Sequence, residues 1–188
     1  MGTTANAIQI YRYQDRGTDP ALTAGIDHVF FESSTTQQFA DDASRAAFRE
    51  RWLGRYLTHD SAWAYVALAG DTTVAGYLVA SLDDPATTAR FADIPYFAHF
   101  AGLTKVYPAH LHVNLSPAFR NRGLGGELIE RFTSDAGKAG APGVHVVTSR
   151  GARNVAFYNR NGFTEAGAHG TGGGDVVFLA RALHARNA

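Results

Sequence analysis

The chain predicts an α/β fold, and three features of its 188 residues carry that expectation. Two β-branched and aromatic runs, Trp63 to Ala69 and Val74 to Leu82, are joined by Gly70-Asp71 and read as an antiparallel hairpin. A strand, a glycine-rich turn, a helix and a second strand follow one another between Leu111 and Thr148. Apolar residues also recur at helical spacing, most clearly Phe48, Trp52 and Tyr56 beside Leu53 and Leu57.

In chain order, Ile8 to Tyr13 forms a first strand. Asp19-Pro20 opens a helix reaching about Phe31, since proline suits the first helical turn. The polar stretch Ser33 to Gln38 separates it from the helix that starts at Asp41, whose aromatic stripe is core. After the hairpin, residues 83–109 lose periodicity. Pro85, Pro95 and Pro108 with Phe91, Tyr96, Phe97 and Phe100 suggest short helices and loops in a variable insertion, either an acceptor pocket or a hydrophobic cap. Leu111 to Leu115 is a strand ended by Ser116-Pro117. The next helix shows Leu124, Leu128, Ile129, Phe132 and Ala136 on one face and Glu127, Glu130, Arg131, Ser134 and Asp135 on the other, and ends at Gly137, Gly140 and Pro142. Val144 to Thr148 is a strand, Ala152 to about Asn161 a short helix closed by Gly162, Gly170 to Gly174 a flexible loop, and Val176 to Ala180 a late strand. No internal repeat appears, so residues 1–188 read as one domain.

Composition bounds the function. With 45% hydrophobic residues the chain can bury a core, and seventeen basic side chains balance seventeen acidic ones. No global field draws in nucleic acid or an anionic membrane, so any anion site is local. No stretch approaches the roughly 20 apolar residues of a membrane span, and the start lacks a charged leader with an apolar run. Asn6 stands where a myristoylation signal would carry Ser or Thr. The expectation is a cytoplasmic protein without nucleic-acid or membrane partners. Cysteine is absent, which excludes disulfides, thiolate metal sites and a cysteine acyl-enzyme. His110 and His112 lack a third ligand at recognisable spacing, so no metal is expected.

The chemistry concentrates in HLHVNLSPAFRNRGLGGELIERF, residues 110–132. A strand enters a turn holding Gly123, Gly125 and Gly126, and a helix follows at once, so backbone N–H groups converge where the macrodipole is positive. That geometry binds phosphate, and Arg120 and Arg122 can add charge-assisted contacts. A P-loop would need Gly-Lys-Ser/Thr where this chain has Gly125-Gly126-Glu127, and a dinucleotide fingerprint wants glycine or alanine where Leu128 stands. Neither fits.

Arg120-x-x-Gly123-x-Gly125 after a strand ending near Pro117 resembles the pyrophosphate loop of GNAT-type N-acetyltransferases. In NVAFYNRNGF, residues 154–163, Asn154, Ala156, Phe157, Tyr158, Gly162 and Phe163 resemble that family's second signature. YPAHLHVNLSP followed by GVHVVTSRGARNVAFYNRNGF is similar to the acetyltransferase-like branch related to the C-terminal domain of O-GlcNAcase and its bacterial stand-alone relatives, over roughly residues 62–166. The resemblance implies a mixed, mostly antiparallel sheet splayed between its fourth and fifth strands, with helices on both faces. It implies acetyl-CoA as cofactor, a small-molecule or peptide amine as acceptor, direct attack in a ternary complex, and a monomer or homodimer.

The implied coenzyme A contacts are Arg120, Asn121, Arg122, Gly123, Leu124, Gly125 and Gly126 at the diphosphate, with Val113 to Leu115 offering backbone groups to the pantetheine arm. A backbone N–H near Leu115 would polarise the thioester carbonyl. From the second signature come Asn154, Phe157 and Tyr158. Tyr158 is either the acid that protonates the departing thiolate or a packed aromatic, and Asn154 either orients the cofactor arm or caps its helix. His110, His112 and Asn114 alternate onto one side of the strand. His112 is the candidate base or a structural histidine, with His145 and Asp175 as further candidates. Residues 110–115 contain no Asp or Glu where the family frequently has an acidic base. That gap motivates the alternative of a noncatalytic acetyl-CoA-binding pseudo-acetyltransferase.

Overall fold

The structure, a computed structural model, describes residues 7–16, 19–171 and 174–183. The expectations for Met1 to Asn6 and for Gly172-Gly173 lie outside those residues. Strands β1 (Ile8–Arg12), β2 (Tyr65–Ala69), β3 (Thr73–Ser81), β4 (Ala109–Leu115), β5 (Gly143–Ser149), β6 (Thr164–Thr171) and β7 (Gly174–Ala182) form one mixed sheet in the order β1-β2-β3-β4-β5-β7-β6. β1 and β3 run antiparallel to β2, while β5 and β6 run antiparallel to β7. The parallel pair is β4 with β5, in register at Ala109↔Val144 and His110↔His145. The ladder is two residues long, although both strands are seven residues long.

Helices α1 (Pro20–Ser33), α2 (Asp42–Arg49), α3 (Arg55–His59), α4 (Tyr96–His99), α5 (Ala101–Thr104), α6 (Leu124–Lys138) and α7 (Arg153–Arg160) cover both faces of the sheet. α1 begins as its sequence predicts: Asp19 Oδ1 accepts from the Ala21 N–H at 2.9 Å and Pro20 holds the first position. The long helix expected from Asp41 is instead α2, a π-helical turn over Glu50–Gly54, and α3. A strict four-residue aromatic repeat overshoots the 3.6-residue α turn, and the wider π turn absorbs the difference.

The chain divides into two compact units, residues 1–80 with 112–129 and residues 81–111 with 130–188. In the first, Leu22, Ile26, Val29 and Phe30 of α1, Leu53, Tyr56 and the central residues of β2 and β3 are buried. β3 is buried at every residue from Val74 to Ser81, which is why it reads as a continuous apolar run instead of an alternating one. In the second unit the aromatics of the insertion turn inward. Phe91, Phe97 and Phe100 are buried with His110, His145 and Phe178, which favours a hydrophobic cap over an acceptor pocket there.

β6 went unread in the sequence, and the segment around Gly170 was expected to be a loop. TEAGAHGT contains no alternating large apolar residues; its strand character comes from hydrogen bonding to β7, and Gly170 and Thr171 belong to it.

Candidate functional site

The glycine turn is shorter than the sequence suggests. Gly125 and Gly126 lie in the first turn of α6, and the left-handed residues are Asn121 (φ 60°) and Gly123 (φ 83°). Gly123 meets this requirement without the Cβ penalty, whereas Asn121 tolerates it through its short polar side chain. The Gly123 carbonyl accepts from the Glu127 N–H at 3.1 Å, the first hydrogen bond of the helix. The amides of Leu124, Gly125 and Gly126 therefore come before the first intrahelical donor and stand at the positive end of a fifteen-residue helix. Leu124, Leu128 and Ile129 are buried and anchor this end.

The two arginines of the loop differ. The Arg120 Nε donates to the Leu115 carbonyl at 3.0 Å, and its Nη2 lies 3.4 Å from Ser33 Oγ. Arg122 rests over the Phe119 ring at 5.9 Å and has no hydrogen bond or ion pair among the described residues. Of the two arginines expected to add charge-assisted contacts, Arg120 is therefore held by neighbouring groups of the protein, and Arg122 is not. Val113 and Leu115 are half-buried, and the Ser33 hydroxyl donates to the same Leu115 carbonyl at 3.3 Å.

His112 is half-buried in the first unit, edge-on to Trp52 at 5.6 Å and Tyr56 at 5.4 Å, with Nε2 3.3 Å from the Tyr56 hydroxyl. Burial, and secondarily the Arg55 guanidinium, push its imidazole down to about 4. Removal from water thus makes this candidate base a much weaker one than a free imidazole. Asn114 donates from Nδ2 to the Tyr77 hydroxyl at 2.7 Å. Tyr56 and Tyr77 were missed as site residues because both read as core. Both are buried, and their hydroxyls meet the His112 and Asn114 side chains of β4.

The second signature lies in the other unit. Tyr158 is buried, its ring 5.5 Å from Phe163 and 5.2 Å from the half-buried Phe157, and burial raises its phenol well above the ordinary tyrosine value. Its hydroxyl bonds to no described residue, so it remains an available donor. Asn154 is exposed, and its Oδ1 accepts from the Thr148 hydroxyl at 3.0 Å. The helix start is Ala152 without a side-chain cap, so the capping role proposed for Asn154 is not the one it plays.

The further candidates His145 and Asp175, and the strand histidine His110, also lie in the second unit. His110 is packed edge-on to Phe91 at 4.7 Å, and His145 stacks on Phe178 at 4.4 Å with Nδ1 2.5 Å from the Tyr107 carbonyl. Both are buried core members. Asp175 is exposed and ion-paired to Arg150 at 3.6 Å. Among the described residues no group of three or more His, Asp or Glu side chains converges as a metal site, and no helix is long and apolar enough to cross a membrane. Within the first unit an open cleft of about 470 Å³ is lined by Asp27, His28, Phe31, Glu32, Gln37 and Arg45.

The sequence pattern of the acetyltransferase (GNAT) domain family matches residues 60–165, more than half of the chain. The fold is similar to the crystal structure of SsHAT, with 21% identity and a TM-score of 0.72 over 94% of this chain and 98% of that one. It is similar also to PH1933 from Pyrococcus horikoshii OT3, with 16% identity and a TM-score of 0.70 over 94% of this chain and 98% of that one. A third likeness is to yncA from Salmonella typhimurium, solved with its cofactor acetyl-CoA, with 18% identity and a TM-score of 0.58 over 97% of this chain and 98% of that one. At these identities the structural likeness establishes the fold. A mixed sheet with its parallel β4–β5 pair, a glycine turn leading into α6 and a family match across both signatures agree: the chain belongs to the GNAT acetyltransferase family.

Proposed function

We propose that residues 1–188 form one acetyltransferase domain that binds acetyl-CoA and transfers its acetyl group directly to an amine in a ternary complex. The observation that carries this reading is the start of α6, where the amides of Leu124, Gly125 and Gly126 precede the first helical hydrogen bond and suit a diphosphate. Asn121 and Gly123 supply the left-handed turn before them, and Arg122 adds charge. The acetyl-CoA bound to the Salmonella relative fits the same expectation.

In this reading the backbone of Val113 to Leu115 pairs with the pantetheine arm, and the Leu115 N–H stabilises the oxyanion formed when the amine nitrogen bonds to the thioester carbon. As the C–S bond breaks, Tyr158 donates its phenolic proton to the departing sulfur. Asn154 and Phe157 orient the arm. The acceptor amine enters neutral, having lost its first proton to solvent. Its remaining excess proton, made acidic by the new bond to carbon, passes to His112, since even a weak base can take it. In the cleft between α1 and α2 the Phe31 ring already holds the Arg45 guanidinium at 3.6 Å and Asp27 is ion-paired to Arg49 at 2.8 Å, so the acceptor, a small-molecule or peptide amine, is not assigned to it.

A second reading rests on a specific observation: β4 carries no carboxylate and its half-buried imidazole is poorly basic. A noncatalytic acetyl-CoA sensor, akin to the O-GlcNAcase-related branch that residues 62–166 resemble, would look the same on these points. Release of free CoA from acetyl-CoA across a panel of amines separates the two. The enzyme reading expects turnover, reduced on the order of 100-fold in Tyr158→Phe with acetyl-CoA affinity nearly unchanged. Tight binding without turnover on any amine favours the sensor, and absence of acetyl-CoA binding by calorimetry removes both.

A further inference from the structure

We infer that Arg120 is a positioning residue for the thioester arm of acetyl-CoA, and that it works with Ser33 as a clasp on the Leu115 carbonyl. This deepens the acetyl-CoA reading and rests on it. Three elements of one compact unit meet at that carbonyl: Arg120 from the loop, Ser33 from the last residue of α1, and Leu115 itself, the last residue of β4. Arg120 Nε and Ser33 Oγ donate to the same oxygen at 3.0 and 3.3 Å, and the Arg120 Nη2 lies 3.4 Å from Ser33 Oγ, which closes the triangle.

The other polar end of the same peptide is also held. The Ser116 N–H donates to the Ala75 carbonyl of β3 at 3.0 Å. The strands approach so closely here that a Cβ on Gly76 would lie 2.8 Å from the Asn114 carbonyl oxygen, so only glycine fits. A peptide tied at its carbonyl by two side chains and at its amide by a neighbouring strand fixes the backbone at Leu115, the residue whose N–H faces the thioester in the proposed chemistry. A guanidinium with Nε and one terminal nitrogen committed has its planar fork set in direction. Arg122, which has no such commitment, is the arginine free to meet phosphate.

The test compares two ligands by calorimetry: acetyl-CoA, and adenosine 3′-phosphate 5′-diphosphate, which keeps the diphosphate but lacks the pantetheine arm. Arg120→Gln and Ser33→Ala should each weaken acetyl-CoA about threefold to tenfold, the worth of one hydrogen bond, while leaving the fragment's affinity within about twofold on the same scale. The double variant should be little weaker than Arg120→Gln alone, because both side chains serve one carbonyl. Arg122→Gln should weaken both ligands by about tenfold, with the larger loss at low salt. Equal losses of both ligands in Arg120→Gln, or no loss of either, overturn the clasp, and Ser33→Ala repeats the test should the arginine variant fold poorly. Failure of the unmodified protein to bind acetyl-CoA at all removes the cofactor reading itself and the clasp with it, a result distinct from these.

Discussion

The two ends of β4 carry the same residue type two positions apart and put it to different uses. At Ala109–Leu111 the strand is buried, paired with β5, and His110 is one more ring in the cluster of Phe91, Phe97 and His145. At His112–Leu115 it is half-buried and carries a series of polar contacts beside the packing of His112 on Trp52 and Tyr56: His112 with the Tyr56 hydroxyl, Asn114 with Tyr77, and the Leu115 carbonyl with Ser33 and Arg120. An imidazole among apolar rings contributes by filling space. An imidazole that also meets a hydroxyl, as His112 meets that of Tyr56, is oriented by that contact. Alternation along a strand places both rings on one side, but the surroundings decide which of them has a chemical role.

The largest effect expected from this contrast is at the packed end. Phe97→Ala should cost about 3–5 kcal/mol of stability, as large-to-small changes at buried aromatics do, measured by urea unfolding. A cost well under 1 kcal/mol on the same scale would mean that the insertion is not core and would revive the pocket reading. At the polar end, acidification should act through His112. In the unfolded chain its imidazole takes a proton near pH 6.5, whereas in the fold it resists until about 4. The unfolded state therefore binds more protons in that window, and stability falls as pH drops through it. With allowance for partial exposure, the loss is on the order of 2 kcal/mol. His112→Asn should flatten that part of the pH profile, and an unchanged profile would place the acid sensitivity elsewhere. The smallest effect is Asn114→Ala, which strips the Tyr77 hydroxyl of its 2.7 Å partner and should cost about 1 kcal/mol. Thermal melts of single variants along β4 would then grade the strand from packing to hydrogen bonding.

The parts of the fold that were legible share a local cause. Asp19-Pro20 signals a helix start through its own side chain and ring, Gly70-Asp71 a hairpin through its turn, and Leu124 to Ala136 a buried face through spacing alone. β6 was illegible because Gly, Ala and Thr carry no periodic signal, and only pairing with β7 makes them a strand. The π turn at Glu50–Gly54 was also hidden, since it differs from an α turn by a single hydrogen-bond register.

In the candidate site, residue order alone identified the glycine turn and the following helix, because anion binding at a helix start needs only chain-neighbouring amides. Tertiary structure decided how each side chain is used. Ser33 and Arg120 are far apart in sequence, yet both reach one carbonyl, and Tyr56 reaches His112 from a different element. Basicity at His112 was likewise undetermined by sequence, since it depends on how much water the surrounding elements exclude. Short-range hydrogen bonding and periodicity are written in neighbouring residues, whereas desolvation and long-range partnership exist only once the chain has closed on itself.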